Sequence, residues 1–417
     1  MTRRKKRPNY FAWTVFGLVL LFGYYFNQVY LPTQPNPFEA TPTPTRSPES
    51  YVSEAEALFK DGKLIPSIEA YKEAIRSSPQ DSTLYVALAR VQMWAGQYEE
   101  AQTNAESALL LNSKNALAQG VRGWALDFQS RNSEAMDAIE EAIALDPNNA
   151  LIQAYYVEIL TDAGFDNYPK AAEHSLIALA LDPNIVETRR ARAYIYSATT
   201  GYEQATLELL EAIKINPNIP ILHMELADNY RFLQATDKAV TEYTLANTLN
   251  PSDPEPEYLI SRTYAGVGDY AKAVQYAEQA MKDDPISAKL HGNYGVMLYR
   301  NLRWSEAVEQ LRISILGGRT EDDREIVGLP LDINDRFSIE FHYTYGLALA
   351  RENQCGEALQ IVQALQSKVR SNEDAMAAAD KTIEICQENL DNPAVDTPTP
   401  TPAVVPVVDG TATPLPN

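Results

Sequence analysis

Cysteine is nearly absent from the 417-residue chain, which has only Cys355 and Cys386, with no C-x-x-C pair. That excludes a cysteine zinc knuckle, an iron–sulfur site and a disulfide-dense fold. Four histidines leave little for metal or acid–base chemistry. Neither a G-x-S-x-G elbow, a G-x-x-x-x-G-K-[ST] loop, an H-E-x-x-H pair nor a G-x-G-x-x-G opening occurs. The chain is therefore expected to be no enzyme, with no catalytic residue, no metal and no cofactor. Positive charge is also scarce, at 35 lysines and arginines against 56 acidic residues. Arg3, Arg4, Lys5, Lys6 and Arg7 hold five of those cations, and the first 30 residues contain no carboxylate, so residues 31–417 carry −26. A nucleic-acid partner is not expected for such a body.

Between Tyr10 and Tyr30 the sequence carries no charge, and tyrosine, phenylalanine and tryptophan crowd both ends. About 20 apolar residues suffice to cross a bilayer core of about 30 Å, and aromatic rings favour its interfaces. Residues 10–31 thus read as one transmembrane helix, a signal anchor, with residues 1–9 as a basic cytoplasmic stub and the body outside the cytoplasm. A cytoplasmic body with reversed topology is the alternative, and a cleaved signal peptide is disfavoured because no small-x-small site follows. Residues 32–50 hold six prolines and read as an extended stalk, and residues 391–417 as a Thr/Pro-rich disordered tail. The folded body is expected over 51–390.

Within that body Pro79, Pro147, Pro183, Pro217, Pro251 and Pro285 are spaced by 68, 36, 34, 34 and 34, mostly after Asn or Asp. Two alanine ladders keep the same period. One runs Ala101, Ala135, Ala171, Ala205, Ala239, Ala273, Ala307, and the other Ala74, Ala108, Ala142, Ala178, Ala212, Ala246, Ala280. Gly62, Gly96, Gly164 and Gly268 fall between the two helices of each unit, where positive φ is useful. The pattern predicts repeated helical hairpins, each stopped by a proline that cannot continue the second helix. His223 and His291 are 68 apart and His342 falls on the same repeat position, so one packing position accounts for all three. An insertion at 317–337 interrupts the period; its Asp322, Asp323, Glu325, Asp332 and Asp335 match no calcium loop and read as a solvated acidic loop.

Units such as Tyr85-Leu88-Ala89-Gly96-Tyr98-Ala101-Ala108 and Ile260-Tyr264-Gly268-Tyr270-Ala273-Ala280-Pro285 resemble the tetratricopeptide repeat family. The resemblance covers about 340 residues. It implies an all-α fold, a right-handed superhelical solenoid of about nine hairpins with a C-terminal capping helix over 373–390. It also implies a concave face lined by first helices, on which a protein or peptide binds. Carried over residue by residue, that face presents Met93, Trp94, Trp124 and Phe128, then Arg190, Tyr194, Arg231, Phe232, Tyr258, Arg262, Tyr299, Arg300, Tyr343 and Arg351. Arginine and aromatic groups favour an acidic or aromatic partner segment. Alternatively these arginines pair with Glu187, Asp228, Glu255 and Glu340 and leave a neutral wall. The carboxylate clamp of the family's chaperone-binding members is not found, since Asn293 and Lys289 lack their companions. Cys355 and Cys386 should lie close together, either bridged on the oxidising side of a membrane or buried as free thiols. The reading is a membrane-anchored scaffold, contacting the lipid bilayer through residues 10–31 and a protein partner through the concave face. A ligand-responsive adaptor or an enzyme acting on envelope polymers are the alternatives.

Overall fold

The computed structural model describes residues 10–26, 28 and 46–391. The basic stub, most of the stalk and the tail beyond Asp391 lie outside the described residues. Twenty α-helices account for nearly all of the rest. The first, α1 (Tyr10–Tyr25), has 16 residues. At about 1.5 Å per residue that is about 24 Å, and among the described residues no helix is long and apolar enough to cross a membrane. Residues 29–31 of the expected span are outside the described set.

Nine helical hairpins follow. They are α2 (Pro48–Lys60) with α3 (Leu64–Ser77), α4 (Ser82–Trp94) with α5 (Tyr98–Leu111), α6 (Ala116–Phe128) with α7 (Asn132–Leu145), and α8 (Ala150–Asp162) with α9 (Tyr168–Leu181). Next come α10 (Val186–Ala198) with α11 (Tyr202–Ile215), α12 (Pro220–Phe232) with α13 (Thr236–Leu249), and α14 (Glu255–Gly266) with α15 (Tyr270–Asp283). Last are α16 (Ala288–Arg300) with α17 (Trp304–Leu316) and α18 (Arg336–Arg351) with α19 (Cys355–Lys368), closed by α20 (Glu373–Asp391). Helix α2 begins at Pro48, so the last three residues of the segment read as stalk are helical. Proline suits the first turn because its missing N–H would have had no partner there.

All fourteen ladder alanines are 0% exposed. Only a methyl group fits where the paired helices lie closest, and the larger residues beside them fill the flanking space. The second ladder also ends the helices. The N–H groups of Asn112, Asp146, Asp182, Asn216, Asn250 and Asp284 donate to the carbonyls of Ala108, Ala142, Ala178, Ala212, Ala246 and Ala280. The residue after each cap, proline in five of the six, turns the chain. Asn112, Asp182, Asn216 and Asp284 also accept the N–H two residues on through a side-chain oxygen, which fixes the bend. Five of the first helices then tie back to the bend: the residue six after the boundary proline reaches that proline's carbonyl, through Tyr85, Gln153, Arg189, His223 and His291 in turn. The histidines at this position are therefore boundary ties. His342 instead bonds the Ser338 carbonyl through Nδ1, 2.7 Å away.

The insertion between α17 and α18 folds into a two-stranded antiparallel ribbon, Gly318–Arg319 with Glu325–Ile326. It is the one departure from helix in the body among the described residues. At the far end α20 packs on α18 and α19, and Cys355 and Cys386 are joined in a disulfide with Cα atoms 5.6 Å apart.

Left-handed backbone recurs at one position of every hairpin turn. Gly62, Gly96, Gly164 and Gly268 take it, and so do Ser130, Thr200, Gln234, Leu302 and Asn353 with φ from 57° to 63°. A side chain in this region costs about 1–2 kcal/mol. Leu302 is 72% exposed and gains no burial in return. Leu302→Gly is therefore expected to stabilise the body by about 0.5–1 kcal/mol after glycine's extra unfolded-state entropy is counted. An upward shift of the urea midpoint at unchanged slope would show it.

Candidate functional site: the inner wall

First helices line the inside of the curve, and consecutive ones pack side by side, α4 on α6, α6 on α8 and α8 on α10. The curve is tight. The turn after α2 meets the boundary before α12, where Asn218 Nδ2 donates to the Lys60 carbonyl at 3.0 Å and Asn216 Nδ2 to the Phe59 carbonyl at 3.4 Å. At Gly62 a Cβ would lie 2.6 Å from Asn218, so the approach depends on glycine as much as the φ of 76° does. The solenoid thus returns onto itself after five hairpins.

The inner side of hairpins two to five faces itself and is filled. Trp94, Trp124 and Arg190 are buried, at 7%, 1% and 2% exposure. The Trp124 ring stacks on Tyr155 at 4.4 Å, and its edge contacts Trp94 at 5.5 Å and Phe128 at 6.0 Å. Arg190 lies over the rings of Trp94, Phe128 and Tyr194, between 5.6 and 6.0 Å from each centroid. Its guanidinium donates to Glu158 at 2.7 Å and to Glu225 at 2.8 Å, and the Trp124 indole N–H donates to the same Glu158 at 2.7 Å. Arg90 reaches across the interior from α4 to Glu187 on α10 at 2.6 Å. Trp94, Trp124 and Arg190, read from the family as surface, are the centre of a core in hairpins two to five.

The electrostatics follow from that burial. Burial pushes the Glu158 carboxyl up to about 7 despite Arg190 beside it. Burial also opposes the charge on Arg190, and Glu158 and Glu225 overcome it, raising the guanidinium above its ordinary value. One turn along, Asp127 is buried with neither carboxylate oxygen on a donor. Burial, then the neighbouring Asp162 carboxylate, push it up to about 8, so at neutral pH Asp127 holds a proton. The Tyr194 hydroxyl donates to Asp162 at 2.6 Å.

Farther along, Arg231, Arg262 and Arg300 also end on carboxylates. Arg231 reaches Asp228 at 3.2 Å while Tyr243 donates to the same oxygen at 2.7 Å. Arg262 and Arg300 share Glu340 at 2.9 and 3.3 Å. Lys289 pairs with Glu255 at 3.3 Å and lies 4.3 Å over the Tyr258 ring, which is buried. Arg351, exposed, lies over Trp304 at 5.4 Å. Tyr299 and Tyr343 are half-buried, and burial followed by Glu340 holds the Tyr343 phenol at about 12. Of the carboxylates paired with the wall by the sequence reading, Asp228 and Glu340 hold Arg231 and Arg262; Glu187 and Glu255 serve Arg90 and Lys289. Glu158 and Glu225 were missed. A usable signal existed: side chains 32 residues apart on neighbouring first helices meet repeatedly, as in Arg190 with Glu158, Tyr194 with Asp162, Ser197 with Asn229 and Asn293 with Ser261.

The wall is open at α10 and α12. A cavity of about 310 Å³ there is lined by Tyr194, Tyr202, Glu225, Asp228, Arg231 and Phe232 among others. Phe232 is 51% exposed and stacks on Tyr202 at 4.6 Å, with Arg231 over its ring at 4.7 Å.

Family models described as tetratricopeptide repeat match residues 55–125 and 258–317. Those two stretches are similar to tetratricopeptide repeats. No curated protein matches the chain. Among solved structures it is similar to a tetratricopeptide repeat protein from Parabacteroides merdae, at 18% identity over 57% of this chain and 93% of that one, with a TM-score of 0.37. It is similar to pilF of Pseudomonas aeruginosa, at 20% identity over 49% of this chain and 92% of that one, TM-score 0.37. The same holds for PilW, a type IV pilus biogenesis factor, at 20% identity over 49% and 94%, TM-score 0.40. Among the described residues, no group of His, Cys, Asp and Glu side chains could hold a metal ion.

Two outcomes follow from the buried charges. Arg190→Met leaves Glu158 and Glu225 buried without their cation and is expected to destabilise the body by about 3–5 kcal/mol in urea titrations, with Glu158→Gln added to it recovering part of the loss. For Asp127 the folded pKa of about 8 lies above an unfolded value of about 3.9, so its contribution is complete below pH ~4 and is lost as pH rises through 8. Asp127→Asn should accordingly raise Tm relative to the parent protein by an amount that grows from pH 5 to pH 9. A pH-independent difference would exclude the buried neutral acid.

Proposed function

We propose that this protein is a non-catalytic tetratricopeptide repeat scaffold, anchored in a membrane through its N-terminal segment, whose inner wall at α10 and α12 binds a segment of a partner protein. The observation that carries the reading is the half-open hollow beside Phe232. Elsewhere in hairpins two to five the inner side is closed by its own tryptophans, whereas here a stacked aromatic pair and an arginine stand half-exposed around unfilled space. Planar side chains give large contact area at small entropic cost, and such groups dominate protein recognition. Because Arg231 already touches Asp228, the wall offers an apolar hollow with a balanced charged edge. It suits an aromatic or apolar side chain of the partner better than an acidic run.

Anchoring is supported by the character of α1 and its flank. Phe11 and Trp13 are 77% and 68% exposed, the helix bears no charge, and Arg3 to Arg7 precede it. The bond between Cys355 and Cys386 supports an oxidising, extracytoplasmic setting for the body.

A photocrosslinking residue at position 232 is expected to give a discrete partner adduct in cells. The same residue at 207, on outer helix α11, should give none, and Arg231→Glu should reduce the 232 adduct at least fivefold. Equal adducts from both positions would refute the inner-wall reading. For the anchor, the full chain should remain in the membrane fraction after alkaline carbonate and a chain starting at residue 32 should not; release of both would refute it.

A further inference from the structure

Where the solenoid returns onto itself, it encloses a second cavity of about 470 Å³ that belongs to the seam between the two turns. One side is the turn between α2 and α3 together with Met93, Trp94 and Tyr98; the other is the start of α12 with Met224, the end of α13, and the Asp253–Pro256 boundary. The volume is that of a ligand pocket, and its walls are mainly apolar. Its polar groups are unbalanced. Lys63 is the cation among the lining residues, and it already lies 3.5 Å from Asp61. Against it stand Asp253 and Glu255. Glu255 shares Lys289 at 3.3 Å, while Asp253 accepts the Glu255 N–H at 3.0 Å and no lysine or arginine lies within ion-pair reach of it among the described residues. Tyr98 is near enough to feel this charge: burial, then Asp253 with Glu225 and Glu158 against Arg190, push its phenol above the ordinary value.

An apolar chamber walled by a tryptophan and a tyrosine, with an uncompensated carboxylate at its edge, is complementary to a cation carried on an apolar body. We infer that the seam cavity is a binding site for a basic, apolar segment of a partner protein, with a bulky apolar side chain in the chamber and a lysine or arginine on Asp253 and Glu255. The site is made from residues about 160 positions apart and exists only in the closed turn, so its occupant also bridges hairpins one and two to hairpins six and seven. It shares no lining residue with the hollow beside Phe232.

The test uses the full chain in detergent and two fluorescently labelled tripeptide amides, KFK and EFE, followed by anisotropy. KFK is expected to bind at micromolar concentration, and EFE at least tenfold more weakly. The double variant Asp253→Asn, Glu255→Gln keeps the helix-capping side chain of residue 253 and should weaken KFK at least tenfold. Ile65→Lys, at an exposed position on the cavity rim, should do the same by placing a cation there without disturbing the core. Phe232→Ala should leave KFK binding unchanged, which separates this site from the inner-wall hollow. Absence of KFK binding up to 1 mM, equal binding of EFE, or binding unaffected by both variants would overturn the assignment.

Discussion

Close approach of paired helices is the constraint on which the rest of the molecule depends. Two alanines in each of hairpins two to seven, none with any exposed surface, let the paired helices pack at short range. That spacing sets where the second helix must end, since the cap N–H finds the carbonyl of the second-ladder alanine. It also fixes the bend at which the following helix begins. At five boundaries a side chain tied to the boundary carbonyl then locks one hairpin to the next, and it is a tyrosine, a glutamine, an arginine or a histidine as the repeat allows. The chemistry at that position is a donor within reach, so residue type varies while the geometry does not.

Small rotations between neighbours accumulate along a solenoid. Here they bring the first hairpin to the sixth, and the closure changes what the inner residues do. Trp94, Trp124 and Arg190 sit on the face that a more open curve would present to a partner, yet across a narrow interior they meet one another and Glu158. Burying an arginine and two carboxylates is costly, and the cost is offset only because every member has a partner. Asp127 is the exception, and it answers by keeping its proton. Pairing explains how a body of −26 tolerates five arginines on one face: Arg190, Arg262 and Arg300 meet carboxylates of other helices, and Arg231 meets one on its own helix.

Much of the architecture could be read from the chain alone. Period, hairpin boundaries and both alanine ladders follow from local rules, because prolines end helices and small residues mark close contact wherever the chain later goes. Four of the nine left-handed turn residues were visible as glycines; Ser130, Thr200, Gln234, Leu302 and Asn353 were not, since the turn imposes its backbone on residues with no preference for it. The ribbon in the insertion was likewise hidden, being two residues per strand with an exposed residue at three of the four positions.

What the sequence by itself determined is the unit: a helical hairpin of about 34 residues, its two buried alanines, its stopping signal and the order of nine such units. What only the tertiary structure decided is the sum of the units: how tightly they curl, that Asn218 meets Lys60, that Arg90 finds Glu187, and which inner residues become core and which stay half-exposed like Phe232. The physical reason is that a unit is specified by contacts within one period. Curvature arises from the small angle between successive hairpins, which no single residue encodes and which doubles in effect with every doubling of their number.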